Sequence, residues 1–426
     1  MRKQWWLRLI LVLVWVPTLV VGIARSNGVS GDGIYYFAYL RSVVIDQDLN
    51  FSNELEQFRD NPHVARQLDS GVTTPAGLTP NLFSVGPAIV WSPLYLVAHI
   101  ATGGDGFGYW EILSLTLSTA LLALLGLFVS WRATILLLPA QLKQFRAESI
   151  ALAAVISTYY GTNLVYYGTF ETSMSHAAGF AVVSSLILLW LKWRERLMAW
   201  QWLILGLLSG LAGLMRWQLL AVGVVIIAVD LVSRKKLSAW KATLAAAIGS
   251  LISFSPQLIA WRILYGSWIV VPQGTGFFDL RSPHALETLV SARHGLLTWT
   301  PLVVLAFVGL ILLWRRSKTL RPELVLLLIA FLVQVYINGA AIEWWGGEAF
   351  GARRYTDLSV IFVIGIAGLL YAAWHKRTLR WVALGAISIL VVWNLLFMQA
   401  YRHDQISRAG YVSASDAVTG VLDLIK

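Results

Sequence analysis

The sequence predicts an all-α polytopic membrane protein of about eleven transmembrane helices, within a range of about 10–13. Three observations lead there. Of the 426 residues 58% are hydrophobic and 13% charged, with a mean hydropathy of +0.68, whereas soluble domains carry about 25% charged residues. Apolar stretches close to or above the ~20 residues of a spanning helix recur along the chain. Basic clusters flank these runs at "MRKQWWLR", "LKQFR", "LKWRER", "SRKKLSAWK", "WRRSKTLR" and "WHKRTLR", and the positive-inside rule assigns such clusters to the cytoplasm.

Taken in order, the spans fall near 6–24, 109–131, 150–169, 177–192, 201–215, 217–232, 243–264, 300–314, 324–341, 357–373 and 381–397. The N-terminus is then cytoplasmic and the tail external. The first run follows basic Arg2, Lys3 and Arg8 as a signal peptide does, but lacks a small-x-small cleavage site and reads as an uncleaved anchor. "FSVGPAIVWSPLYLVAHI" (83–100) contains Pro87 and Pro93. As a span it would put Lys143 and Arg146 outside and reverse every later cluster, so it reads as a juxtamembrane or re-entrant helix, an ordinary span being the alternative. The result is one polytopic domain, 1–426, with a first external loop over 25–108, a second over 265–299 and an external tail over 398–426.

The charge follows the topology. Of 33 Lys and Arg, 20 fall inside, and of 22 Asp and Glu, 18 fall outside, so the net +11 marks membrane orientation and no nucleic-acid partner. The chain has no cysteine, which removes disulfides and thiolate metal sites. Cytoplasmic links are short, and neither a phosphate-binding glycine loop nor a dinucleotide fingerprint is present. No internal repeat stands out, against an inverted-repeat transporter. The lipid bilayer is the first partner, and a cell inner or plasma membrane the expected location. The tail places Val418, Val421, Leu422 and Ile425 on one helical face, to rest on the outer surface or dock against a loop.

Ionisable residues at membrane depth are costly and functional by default. Several lie at the outer end of a span or just beyond it: Asp32 in "GDG", Glu171 and His176 in "TFETSMSHAAGF", Arg216 in "GLMRWQL", His294 in "SARHGLLTWTP", and Glu343, Glu348, Arg353, Arg354 and Asp357 in "EWWGGEAFGARRYTD". Each has a plainer reading. Asp32 is a turn residue satisfying backbone N–H groups, Arg353 and Arg354 snorkel, and His176 and His294 are structural. Glu171 and His176 lack the spacing of a metal motif, and "DQD" at Asp46–Asp48 reads as solvated loop. Together, six or more segments bring polar groups to one stratum. Adjacent arginines suit a phosphate, tryptophans such as Trp345 suit a sugar face, and a carboxylate suits proton abstraction. These point to a lipid-phosphate-linked substrate.

The same segments resemble the membrane glycosyltransferases of the GT-C fold, which use polyprenyl-phosphate sugars and include protein O-mannosyltransferases and the aminoarabinose transferases of lipid A. The resemblance rests on the first span, the long outer loop opening with Asp32, the proline-containing helix at 83–100, and "FGARRY". Many relatives carry Asp-Glu where this chain has Asp32-Gly33, and the lysine of the Lys-Pro-Pro helix is absent. The resemblance implies an inverting transfer from a polyprenyl-phosphate sugar to an extracytoplasmic protein, lipid or glycan. Asp32 is the implied general base and Arg216, Arg353 and Arg354 the expected phosphate ligands. Glu171, His176, His294, Trp345 and Glu348 are the candidates for substrate contact. No cofactor is expected, a divalent metal being left open. The alternative from another class is a flippase or transporter of lipid-linked glycans.

Overall fold

The computed structural model describes residues 5–194, 198–234 and 239–424. Parts of three basic clusters (Arg2 and Lys3, Arg196, Lys235 and Lys236) and Ile425 lie outside the described residues. The described chain is helical throughout, its one β feature being an isolated bridge between Phe278 and Ala341. A helix stands at each of the eleven positions the sequence marks, and seven are long and apolar enough to cross a membrane: Trp5–Arg25, Tyr109–Leu136, His176–Trp193, Trp240–Tyr265, Lys318–Ala340, Arg353–Ala373 and Arg377–Arg402. Ala199–Met215 and Trp217–Asp230 are shorter apolar helices.

The surface matches a bilayer. Leu13, Val20, Leu121, Ile252, Ile311 and Ile389 are exposed in helix interiors, where water would penalise them and lipid does not. All eight exposed tryptophans among the described residues lie within about one turn of a helix end, as indole prefers at membrane interfaces. Helix association uses small residues, since lipid removes the hydrophobic drive to pack. Gly206 and Gly210 of Ala199–Met215, for example, lie directly against the Ala246 and Ser250 carbonyls of Ala239–Tyr265.

A second core sits beside the main one and carries the loop that follows the first helix. Its centre is Asp32–Arg41, "DGIYYFAYLR", which is buried from Gly33 to Arg41. Its apolar run therefore packs on every side. Phe37 meets Tyr95 and Phe107, and Tyr39 meets Phe51. Arg41 closes the loop: its guanidinium pairs with Asp46 at 2.6 Å and Glu54 at 2.7 Å and lies over Phe107. Asp48 accepts from the Ser42 hydroxyl at 2.8 Å, so the "DQD" carboxylates are both spent on loop structure. The helix Gly86–Thr102 packs Ala88, Trp91 and Tyr95 inward and exposes Ile89, Val97 and Ile100, giving it a protein face and an apolar outer face. The tail helix Ala414–Asp423 docks: Val412 donates to the Ala292 carbonyl and Val421 is buried.

Candidate active site

Asp32 opens its helix and caps nothing. The N-cap is Gly31, no side chain caps the turn, and Gly31 has a φ of 53°, a left-handed conformation that favours glycine. Gly33 is required for a different reason, since a Cβ there would lie 2.1 Å from Ser173 Oγ. The two glycines let the chain turn sharply and seat against residues 171–173. Glu171 reinforces the seat, accepting from Asn27 Nδ2 and Ser30 Oγ, both at 2.6 Å, while Ser173 Oγ accepts from Ser30 N at 3.1 Å. A second carboxylate at position 33 has no room.

Released from capping, the Asp32 carboxylate crosses to the far end of the sequence. Arg353 Nη1 donates to Oδ2 at 2.8 Å and Nη2 reaches Oδ1 at 3.5 Å. Oδ1 is thus the less committed oxygen. The pair is mostly buried, the side chains being 18% and 13% exposed. It lines a cavity of about 380 Å³ that Arg216 and Arg354 also line. Four separate helix ends build this cavity: Asp32–Arg41, the break after Ala199–Met215, the C-terminus of Arg321–Ala340, and the segment entering Ser359–Ala373.

The three guanidinium groups are only partly satisfied. Arg354 Nη2 donates to the Glu343 carbonyl at 2.9 Å. Arg216 Nη1 donates to His176 Nε2 at 3.2 Å, and His176 Nδ1 lies 3.2 Å from Asp357 Oδ2. Arginine only donates, so Nε2 must accept and the imidazole proton sits on Nδ1, facing Asp357. His176 and Asp357 are fully buried and form a relay that steers Arg216 from behind. The Nε atoms of Arg216, Arg353 and Arg354 are buried with no partner among the described residues. Three unpaired donors of this kind are expensive unless an anion receives them.

Tyr36, one helical turn after Asp32, lines the same cavity. Burial first, and the Asp32 charge second, push its hydroxyl up to about 12, so it stays a donor. The remaining sequence candidates lie elsewhere. Glu171 braces the Asp32 turn. His294 donates from Nδ1 to the Trp345 carbonyl at 3.0 Å and packs edge-on against Trp299. Burial pushes its imidazole down to about 4, so it is neutral. The face of Trp345 carries the Arg293 guanidinium at 3.7 Å, and Glu348 is exposed. None of these four lines the cavity. No group of three or more histidines and carboxylates placed to hold a metal occurs among the described residues.

Several lining residues escaped sequence reasoning: Tyr36, Trp217, Gln218, Gln273, Phe277 and Asn338. Tyr36 was available from its i+4 spacing to Asp32, and Asn338 from its i+4 spacing to Gln334 within an apolar run. Gln273 and Phe277 had no local signal. Their loop reaches the cavity because Ile342 N donates to Phe277 O and Asp279 N to Ala340 O, which zips it onto the end of a helix.

Fold and site define a multi-pass helical membrane protein with a buried, cation-rich cavity at one end of its bundle. No protein-family model matches the chain, and no curated protein matches it. Among solved structures it is similar to the archaeal oligosaccharyltransferase AglB from Archaeoglobus fulgidus, in complex with an inhibitory peptide and a dolichol-phosphate. The identity is 13% and the TM-score 0.49, over 97% of this chain and 57% of that one. The chain thus spans little more than half the length of that neighbour.

Proposed function

We propose that this protein is an integral-membrane glycosyltransferase of the GT-C type, moving a sugar with inversion from a polyprenyl-phosphate donor to an extracytoplasmic acceptor. One observation carries the reading: a mostly buried carboxylate, Asp32, and three arginines with unpaired buried donors, delivered by four helix ends, share one cavity, to which the exposed Glu343 also contributes.

The chemistry follows from the charges. An acceptor hydroxyl gives its proton to Asp32, Oδ1 being the freer oxygen, while its own oxygen attacks the anomeric carbon. The bond from that carbon to the phosphate oxygen breaks, and the phosphate leaves as a monoester on the prenyl chain. Arg353 is committed to orienting Asp32, which leaves Arg216 and Arg354 for the charge growing on the leaving group. Two guanidinium charges match a monoester dianion better than the donor's diester monoanion, so the site binds the transition state more strongly than the ground state. Attack from the side opposite the phosphate inverts the anomeric carbon. The eleven-span topology, with a cytoplasmic N-terminus and this cavity external, belongs to the same proposal.

The test incubates membranes holding the protein, or its Asp32→Asn variant, with labelled polyprenyl-phosphate sugars and an envelope extract as acceptor. Label leaving the lipid only with the wild type supports the transferase. Label that stays on lipid but changes leaflet in liposomes would instead establish a transporter, whose site is expected nearer the midplane.

A further inference from the structure

The arginines occupy one part of the cavity wall, and another part is lined by amides and an indole that nothing above uses. Asn338 is 1% exposed, and neither polar atom of its amide has a hydrogen-bond partner among the described residues. The Tyr355 hydroxyl, paired with Thr288 at 2.6 Å, lies beside this amide and interacts with it without a hydrogen bond of good geometry. Trp217 Nε1 and Gln273 Oε1 are likewise buried and unpartnered, and both residues line the same cavity. Gln273 is held in place from its other end, Nε2 donating to the Leu82 carbonyl at 2.9 Å. Unsatisfied buried donors and acceptors cost about 1–3 kcal/mol each, and four such atoms around one cavity describe a ligand with several hydroxyl groups.

We infer that Trp217, Gln273 and Asn338 form the sugar subsite of this cavity and select an uncharged sugar. The inference rests on the donor reading above and narrows its substrate class. The indole N–H and amide N–H donate, the two amide oxygens accept, and hydroxyl groups answer both. A sugar bearing an ammonium group finds no buried carboxylate free to neutralise it here. Asp32 is forked by Arg353, Glu343 lines the cavity but is exposed to water that screens it, and the three guanidinium groups repel the added cation. A sugar carboxylate fits no better, because it competes with the phosphate for Arg216 and Arg354.

The experiment measures binding of four probes to the full-length protein in nanodiscs: farnesyl phosphate alone, and farnesyl phosphate linked to glucose, to 4-amino-4-deoxyarabinose or to glucuronic acid. The wild type binds the glucose probe at least about tenfold more tightly than either charged-sugar probe, the scale of one well-made buried hydrogen bond or more. Asn338→Leu removes that advantage while affinity for bare farnesyl phosphate moves less than about threefold. Asn338→Asp shifts the ratio of amino-sugar to glucose affinity by at least about tenfold, a ratio in which any general electrostatic effect cancels. A wild type that prefers either charged probe, or an Asn338→Leu that weakens all four probes alike, overturns the subsite. So does tight binding of farnesyl phosphate that no sugar improves. Failure of all four probes to bind would instead overturn the donor reading itself, and the subsite with it.

Discussion

Asp32→Asn separates binding from chemistry, and the charges in the cavity say in which direction each moves. The substitution keeps the shape and leaves an oxygen to accept from Arg353, so the fold is retained. It removes the mostly buried carboxylate that faces the three arginines within the cavity and leaves only the exposed Glu343 there. At an effective dielectric of about 20, a unit charge about 9 Å away is worth about 2 kcal/mol. Water at the cavity mouth screens this to the order of 1 kcal/mol, or roughly a fivefold gain in affinity for a lipid phosphate. Turnover moves the other way, by about 10²–10⁴-fold, the usual contribution of a general base. The assay pairs farnesyl phosphate binding in nanodiscs with label transfer from a polyprenyl-phosphate sugar. An Asn variant that turns over within tenfold of wild type would remove Asp32 as the base. One that binds lipid phosphate more weakly would show that Asp32 is not opposing the arginines, and the charge arithmetic would fail with it.

Three further outcomes follow from individual contacts. Gly33→Ala puts a Cβ 2.1 Å from Ser173 Oγ, which should destabilise the protein by about 1–3 kcal/mol in thermal unfolding; adding Ser173→Gly recovers only part, because the Ser173 carbonyl lies 2.7 Å from the same Cβ. His176→Leu removes the one side-chain hydrogen-bond partner of Arg216 among the described residues and should weaken farnesyl phosphate binding about tenfold, whereas His176→Gln, whose carbonyl can take the same N–H, loses less; equal losses would deny the relay. Because burial depresses His294 from about 6.5 to about 4, the stability it contributes is complete above pH 6.5 and drains as pH falls towards 4, about 3 kcal/mol at most. Unfolding measured from pH 7.5 to 4.5 should fall more steeply for the wild type than for His294→Gln, and parallel curves would refute the assignment.

How much of this was legible depends on the range of the interaction. Spans and helix ends are local: apolar length and flanking charge place most helices to within a few residues, the exception being 150–169, where one helix runs Gln144–Gly161 and a second, short one Leu164–Thr169. The site candidates at the helix ends were legible for the same reason, and five of them, Asp32, Arg216, Glu343, Arg353 and Arg354, do share one cavity. Sequence could not say which candidates face inward. Glu171 and His294 are as polar as Asp32, yet each is spent on a neighbour, Glu171 on the turn at Ser30 and His294 on the Trp345 carbonyl. Those partners are 141 and 51 residues away in the chain, and no periodicity records them. The loop that brings Gln273 in is likewise fixed by distant pairing, with residues 339–342 and with the Leu82 carbonyl.

The arrangement around Asp32 also speaks against its reading as a turn residue on energetic grounds. A turn carboxylate earns its place by accepting backbone N–H groups, and Asp32 accepts none in a side-chain cap. The turn is instead secured by others: Gly31 supplies the conformation, Gly33 the close approach, and Ser173 and Glu171 the hydrogen bonds. A protein that fixes a turn four ways has no structural use for a fifth group there. It has placed that group opposite a guanidinium 321 residues away, in a cavity where desolvating both costs several kcal/mol that their attraction only roughly offsets. Apolar residues of similar shape would fill the same space more stably. On the proposed function the charge is retained for the ligand and not for the fold, so Asp32, Arg216 and Arg354 are the positions where substitutions should disturb binding and turnover more than stability.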